Sequence, residues 1–501
     1  MYIKTITDYL DKTAKKYPEK IGVKDIDKQY TFSKIRENAL KVGSVLGEMG
    51  LFKKPIAIFL DKNVDCFCSM FGVAYSGNFY TILDVTMPQA RIERILRILD
   101  AEAIITDKKH EQDIQKLDLK FSPIYIEDIY TRTINNLMIE CIQNRIIDTD
   151  VLYILFTSGS TGDPKGVIIS HRNVITYMEW SGKVFGFDSN TVFGSQTPFY
   201  FSMSVLDIFQ TIRTGAEFVI IPKKLFSLPG DLISYIDETQ INTIYWVPSA
   251  LCQLANINAL DNPKLKCVKM ILFAGEVMPA KQLNMWKRAL PDAFYANLFG
   301  PTEVTDICTY YILDREIADD ESIPIGRTCD NMDVFIVDEN GKEVTGTQEG
   351  EMLVRGASVA YGYYKNPEKT KEAFIQNPLQ DSYEEKVYRT GDLVHYNENG
   401  EIIYVSRKDF QIKHMGYRIE LGEIETAASA IAQIDRVCCI YDMANSEIVL
   451  FYTGAIDAKD IKKNIKKKVP RYMIPTRYVT MEEMPLNLNG KIDRGELKKL
   501  L

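Results

Sequence analysis

The segment Thr157 to Gly166 reads Thr-Ser-Gly-Ser-Thr-Gly-Asp-Pro-Lys-Gly and follows the apolar run Val151-Leu152-Tyr153-Ile154-Leu155-Phe156. A buried strand thus runs into small, hydroxyl-bearing residues and one cation. Gly159 and Gly162 permit backbone conformations closed to other residues and a close approach to a ligand. Backbone N–H groups and the hydroxyls of Thr157, Ser158, Ser160 and Thr161 donate hydrogen bonds, and Lys165 adds positive charge, a combination suited to a polyphosphate. It is not a Walker A loop, because Pro164 precedes the lysine and Gly166 follows it. Runs of Ser, Gly and Thr otherwise serve as flexible linkers. The strand before this loop and the Pro-Lys-Gly exit argue against that reading.

The elements that must position the loop alternate in pattern. Pro55–Leu60 is β-rich, a helical stretch follows to about Tyr75, and Phe79–Leu83, Glu217–Ile221, Asn242–Val247 and Val268–Phe273 repeat the strand theme with helices between. This predicts an α/β fold with mostly parallel sheets joined by crossover helices. Met1 to Lys20 carries Ile6, Leu10 and Tyr17 at helical spacing and reads as a surface helix, not a signal peptide. After Gly391 the texture changes. A strand at Glu401–Val405 leads to the short polar stretch Ser406-Arg407-Lys408-Asp409. Beyond it come a helix from about Leu421, strands near Arg436–Tyr441 and Ile448–Thr453, and a lysine-rich helix over 459–468. A domain boundary is expected at Lys408–Asp409.

A chain of 501 residues exceeds one ordinary core, so two or more domains are expected. The net charge of −8 argues against a nucleic-acid partner, which would need a basic face. No apolar run reaches bilayer-spanning length, and a cytoplasmic location is expected. Nine cysteines, an odd count without a secretory signal, argue against a disulfide framework. Cys66/Cys68 and Cys438/Cys439 lack metal-type neighbours, and most cysteines read as buried small hydrophobes.

Further motifs follow the phosphate loop in order: Phe299-Gly300-Pro301-Thr302-Glu303, Tyr388-Arg389-Thr390-Gly391-Asp392-Leu393, Gly416-Tyr417-Arg418-Ile419-Glu420-Leu421-Gly422-Glu423-Ile424-Glu425 and Asn489-Gly490-Lys491-Ile492-Asp493-Arg494. Together they resemble the adenylate-forming superfamily, which includes acyl- and aryl-CoA synthetases. The nearest resemblance is to stand-alone amino-acid adenylation domains of nonribosomal peptide synthesis and to D-alanine and prolyl carrier protein ligases, and it covers essentially the whole chain. It implies a large N-terminal α/β domain, 1–408, of mostly parallel sheets flanked by helices, and a small mobile α+β domain, 409–501, that swivels about Asp409.

The resemblance also implies chemistry. ATP and Mg2+ convert a carboxylic acid to an acyl-adenylate, and the acyl group then passes to the phosphopantetheine thiol of a carrier protein. No carrier motif follows Leu501, so the carrier is expected to be a separate chain. Glu303 matches the magnesium-linked glutamate, with Thr302 beside it as a phosphate-contacting hydroxyl, and a single carboxylate suffices because Mg2+ binds mainly through phosphates. Nucleotide contacts are implied for the phosphate loop and for Gly275, Glu276, Asn297, Phe299, Gly300, Asp392, Tyr404 and Arg407. Phe299 is the adenine-stacking ring, and Asp392 with Arg407 grips the ribose. Lys491 is the lysine that enters the site from the small domain and bridges carboxylate and phosphate. Gly416, Tyr417 and Arg418 belong to the loop that faces the site in the second half-reaction. Ser406 in place of glycine and His414-Met415 before Gly416 depart from the family pattern near this hinge.

Relatives using α-amino acids carry an aspartate where this chain has Ser202, in Phe201-Ser202-Met203-Ser204-Val205-Leu206. A serine cannot neutralise an ammonium that has left water. By motif spacing the other pocket residues are Met203, Leu206, Trp246, Leu272, Ala274, Leu298, Asp306 and Ile307. Two readings stay open: an acid without an α-ammonium, with Asp306 bonding a distal hydroxyl, or a displaced amine anchored by Asp306, as in a β-amino or imino acid. Asp306 turned away into a local cap is the plain alternative. Rival functions are a D-alanine–carrier protein ligase, an acyl- or aryl-CoA synthetase, and an idle nucleotide-binding scaffold.

Overall fold

β-branched and aromatic runs without polar interruption make strands buried on both faces, and they need helices on either side. The computed structural model describes residues 3–159, 163–409, 411–443, 445–486 and 492–501. Among these, the strands form five sheets. In the nine-stranded sheet, Phe294–Phe299, Met270–Ala274, Thr243–Trp246, Val192–Ser195, Glu217–Ile220 and Ile21–Lys24 run parallel in that spatial order, with antiparallel strands at both edges. The six-stranded sheet sets Ala103–Thr106, Pro55–Phe59, Phe79–Leu83 and Val151–Thr157 parallel, then turns back through Lys165–Ser170. A five-stranded antiparallel sheet includes Lys386–Tyr396 and Ile402–Arg407.

Beyond it the C-terminal part is smaller and antiparallel in character. It holds a hairpin of Gln411–His414 with Tyr417–Glu420 and a three-stranded sheet of Ile434–Asp442, Glu447–Gly454 and Arg477–Thr480, covered by the helices Leu421–Ser429 and Ala458–Ile465. The mixed α/β architecture agrees with the alternation in the sequence. The main apolar cluster ends at Ile402 with Tyr404 packed on it, and the next begins at Ile419 with Ile412 and Tyr417 packed on it, so the polar stretch 406–409 belongs to neither. No helix among the described residues is long and apolar enough to cross a membrane.

Several sequence expectations shift by a residue or two. The N-terminal helix is Ile6–Lys16, and it buries Ile6, Tyr9, Leu10 and Ala14 against the main core instead of lying on the surface. Six of the nine cysteines are buried; Cys141 is exposed, and Cys252 and Cys267 are partly so. The helix Val64–Tyr75 is buried along its whole length, capped by Asn63 Oδ1, which accepts from the Cys66 N–H at 2.8 Å. It crosses the helix Phe32–Glu48 at Gly72, where a Cβ would lie 2.4 Å from Val42 Cβ and 2.9 Å from the Ala39 carbonyl oxygen. Only a hydrogen fits there. Gly72→Ala should destabilise the large domain by roughly 1–3 kcal/mol through overpacking, read as a lowered melting temperature; an unchanged melt would show that the crossing can open.

Candidate active site

The phosphate loop hangs between two antiparallel strands whose register pairs Thr157 with Lys165. Lys165 therefore starts the returning strand instead of lying in the loop. Its ammonium sits 5.2 Å from the Tyr363 ring centroid and 3.7 Å from the Glu420 carboxylate. Burial and the neighbouring Arg418 charge lower its pKa. The Thr157 hydroxyl donates to the Lys165 carbonyl at 3.4 Å. Ser158 Oγ donates to the Arg418 carbonyl at 2.8 Å and accepts from the Glu420 N–H at 3.2 Å. Ser160, Thr161 and Lys491 lie outside the described residues.

Glu303 occupies a short 3-10 turn, Thr302–Val304, and is fully buried. Its Oε1 accepts from the Tyr363 hydroxyl at 2.7 Å and its Oε2 from Arg418 Nη1 at 2.5 Å. Burial alone would raise this carboxyl; the charges of Arg418 and Lys165 outweigh it and hold the group at about 2. Arg418 is itself positioned by Gln411, whose Oε1 accepts from Arg418 Nε at 2.6 Å. Thr302 Oγ1 lies 3.3 Å from Ser202 Oγ.

Across the cavity, Phe299 ends a parallel strand. Its ring lies 5.9 Å from that of Tyr404, and Lys413 Nζ stands 4.4 Å from its centroid. Asp392 and Arg407 pair across adjacent strands, with Arg407 Nη1 donating to Asp392 at 2.8 Å and the rest of the guanidinium forking onto Asp409 at 2.7 and 2.8 Å. Asn297 donates to the Pro324 carbonyl at 2.8 Å. Glu276, beside Gly275, accepts from the Gly416 N–H at 2.9 Å and from the Ser249 N–H at 2.9 Å.

One cavity brings together Phe201, Ser202, Met203, Ala274, Gly275, Gly300, Thr302, Asp306, Asp392, Arg407, Gly416, Tyr417 and Arg418. Asp306 faces it while almost fully buried, and its Oδ2 accepts from the Tyr177 and Tyr245 hydroxyls at 2.8 and 3.1 Å. Burial pushes its carboxyl up to about 7, against the opposing pull of the hydroxyls of Tyr177, Tyr245 and Ser202. Leu206, Trp246, Leu272, Leu298 and Ile307 are buried in the main core and are not among the residues that line this cavity. Leu272 and Leu298 share strand faces with Ala274 and Gly300 but sit two residues deeper, and Val247 lines the wall where Trp246 was expected. The Trp246 indole instead donates to the Gly194 carbonyl at 2.7 Å. Tyr363, Tyr177, Tyr245 and Lys413 were missed in the sequence, because none falls at a position the motifs single out for chemistry.

The hairpin at 411–420 closes the cavity. Met415 and Gly416 both have positive φ, 53° and 78°, as a two-residue turn of this hand demands. A Cβ on Gly416 would lie 2.4 Å from Val247 Cγ1. Tyr417 meets Phe201 edge-on at 4.9 Å and stacks on Tyr472 at 3.7 Å. Behind the hairpin, Arg91 of the large part pairs with Glu423 of the small part, both buried. His414 turns away, 3.3 Å from the Tyr441 hydroxyl, and Met415 and Ser406 are exposed.

Comparison with known proteins now gives the class. The AMP-binding enzyme family matches residues 10–364. The D-alanine–D-alanyl carrier protein ligase of Lacticaseibacillus paracasei is 30% identical over 99% of both chains. A mycosubtilin synthase polypeptide of Bacillus subtilis is 30% identical over 99% of this chain, which spans 19% of that protein. The solved Vibrio cholerae adenylation domain AlmE, in complex with glycyl-adenosine-5'-phosphate, shares the fold with a TM-score of 0.86 at 22% identity, over 100% of this chain and 98% of that one. The chain belongs to the AMP-binding enzyme family and is an AMP-forming acid–thiol ligase.

The buried Glu303–Arg418 pair has a measurable cost when halved. Arg418→Met leaves a buried carboxylate without its main counter-charge, a loss of about 3–5 kcal/mol, and should speed tryptic cleavage after the exposed Lys408. Glu303→Gln combined with Arg418→Met should recover part of that loss, whereas additive losses would show no coupling. Because the folded pKa of Glu303 is depressed from 4.5 to about 2, its stabilisation is present above pH 4.5 and disappears as pH falls through about 2. Wild type should show this acid-dependent increment, and Arg418→Met should have lost most of it.

Proposed function

We propose that the enzyme uses ATP and Mg2+ to activate a small amino or related carboxylic acid and then loads it onto a separate phosphopantetheinylated carrier protein. The acid's carboxylate attacks the α-phosphorus and pyrophosphate leaves. The carrier thiolate then attacks the acyl carbonyl and AMP leaves. The observation that carries this reading is the convergence on one cavity of the Thr302–Glu303 turn, the Asp392–Arg407 pair, the Ser202–Asp306 wall and the small-domain hairpin. The full-length match to carrier protein ligases supports a carrier as acceptor, and also favours D-alanine–carrier ligation as the second reading.

Within this reading each residue has a task. Ser158, Gly159, Lys165 and their loop neighbours hold the β- and γ-phosphates. Glu303, kept ionised at neutral pH, is a hard oxygen donor of the kind Mg2+ takes. Glu303 would hold the ion, which would supply neutralisation of phosphate charge. Phe299 and Tyr404 bracket the adenine, and Asp392 accepts from the ribose hydroxyls under the grip of Arg407. Lys491 supplies the cation that stabilises charge as the carboxylate attacks. The units 1–408 and 409–501 rotate about Asp409, and Gly416, Tyr417 and Arg418 then guide the pantetheine arm. Ser202 in place of an aspartate makes the acid pocket atypical.

ATP–pyrophosphate exchange over a panel of α-amino, imino, β-amino, aryl and hydroxy acids tests the first step. One class should give strong exchange that falls ~10²–10³-fold in Lys491→Ala. Acyl transfer to a phosphopantetheinylated carrier should then exceed transfer to free coenzyme A; the reverse preference would make the protein a CoA synthetase. Nucleotide binding without exchange for any acid would contradict the proposal.

A further inference from the structure

We propose that the buried pair of Arg91 and Glu423 keeps the docking of the C-terminal part reversible: intact it balances docked and released poses, halved it favours release, and replaced by apolar side chains it fixes docking. The proposal rests on the adenylation reading for its consequence in the two half-reactions, and goes beyond it to two residues that set the exchange of poses.

Arg91 lies in the helix Gln89–Leu99 of the large part, and Glu423 in the first turn of the helix Leu421–Ser429, directly after the hairpin. Arg91 Nη1 donates to Glu423 Oε1, and both side chains are almost completely buried. The contact is incomplete: among the described residues Arg91 Nε and Glu423 Oε2 have no hydrogen-bond partner. Burial pushes the Glu423 carboxyl up, with Glu420 adding to the push, although Arg91 and Arg94 pull it down; desolvation outweighs the attraction. Arg94, three residues along the same helix, is partly exposed and lies 3.6 Å from Asp163. Close to the pair, aromatic rings join the two parts: Tyr472 stacks on Tyr417, which meets Phe201 edge-on.

Taking two charges out of water costs more than their attraction returns when hydrogen bonds are left unmade, and apolar side chains of similar volume in their place are often neutral or stabilising. Here that cost arises only when the two parts meet, because the partners come from opposite sides of the junction. Separation of the parts returns both ions to water. The pair therefore adds little grip; the aromatic stack and the Arg418–Glu303 contact supply it. What the pair adds is a penalty on docking that is tolerable while both charges are present. Removing one charge makes the penalty severe, and removing both abolishes it. Single and double substitutions then move the pose in opposite directions. In the proposed reaction the docked hairpin serves acyl transfer, and Lys491 would enter the site in the other pose. Arg91 and Glu423 are thus positioning residues for both steps.

Hydrogen exchange of the Gly416 and Glu420 amides in the ligand-free full chain reads the pose, because both donate across the junction. Relative to wild type, these amides should exchange about tenfold or more faster in Arg91→Met, and about fivefold or more slower in Arg91→Met combined with Glu423→Leu. Amides of the buried helix Val64–Tyr75 are the internal reference and should keep their protection. If Arg91→Met disturbs them, Glu423→Gln takes its place with the same expected direction. With ATP and the acid that the panel identifies, pyrophosphate exchange should persist in the single variant and fall in the double, whereas acyl transfer should fall in the single. A double variant whose amides exchange no slower than wild type, or a single variant whose amides exchange no faster, would overturn the proposal. Opposite shifts in protection without pyrophosphate exchange for any acid would uphold it and contradict the adenylation reading instead.

Discussion

Glu303 cannot be buried alone. A fully desolvated carboxylate requires a positive partner, and here Arg418, from a segment more than a hundred residues away, supplies it. The same contact draws the hairpin tip over the cavity, where Ser158, Lys165 and Glu276 also bind it. These are the groups through which the loop and its neighbours would hold a magnesium triphosphate. In this arrangement the protein has spent them on its own small domain. A hairpin arginine and a metal-bound phosphate are thus alternative solutions to one electrostatic problem. Under the proposed rotation, each of the two poses would satisfy Glu303 with a different cation.

The loops that line the cavity are anchored on the large part. Val247, Gly275 and Gly300 each follow directly on the carboxyl end of a parallel strand, so the loops that line the cavity spring from one edge of one sheet. Ligands in open α/β folds bind at this edge. The C-terminal part, by contrast, reaches the site through the hairpin and Tyr472, and the buried pair Arg91 with Glu423 lies behind them. Among the described residues Arg91 Nε and Glu423 Oε2 have no hydrogen-bond partner, so this contact is less than fully satisfied. Such an interface holds one pose without forbidding another.

Much of this was legible in the sequence because it is local. The strand-then-loop order at 151–166, the Gly-Pro-Thr-Glu turn and the alternation of elements each depend on neighbours in the chain. Depth along a strand does not. Leu272 and Leu298 read as pocket residues, yet two residues of strand separate them from the positions that reach the cavity. The tyrosines that hold Asp306 come from Val174-Ile175-Thr176-Tyr177 and Thr243-Ile244-Tyr245, stretches whose pattern says only helix and strand. Tyr363 supports Glu303 from sixty residues downstream. The docking of the hairpin is a property of the folded surfaces, and no spacing in the chain encodes it.

The most direct test is hydrogen exchange of the amides in 411–420, since the Gly416 and Glu420 N–H groups donate across the interface to Glu276 and Ser158. If phosphate–metal and hairpin compete for one carboxylate, Mg2+ with pyrophosphate should strip protection from this segment, and AMP, which lacks the β- and γ-phosphates, should leave it in place. Protection that is unchanged or increased with bound Mg2+-pyrophosphate would contradict the account.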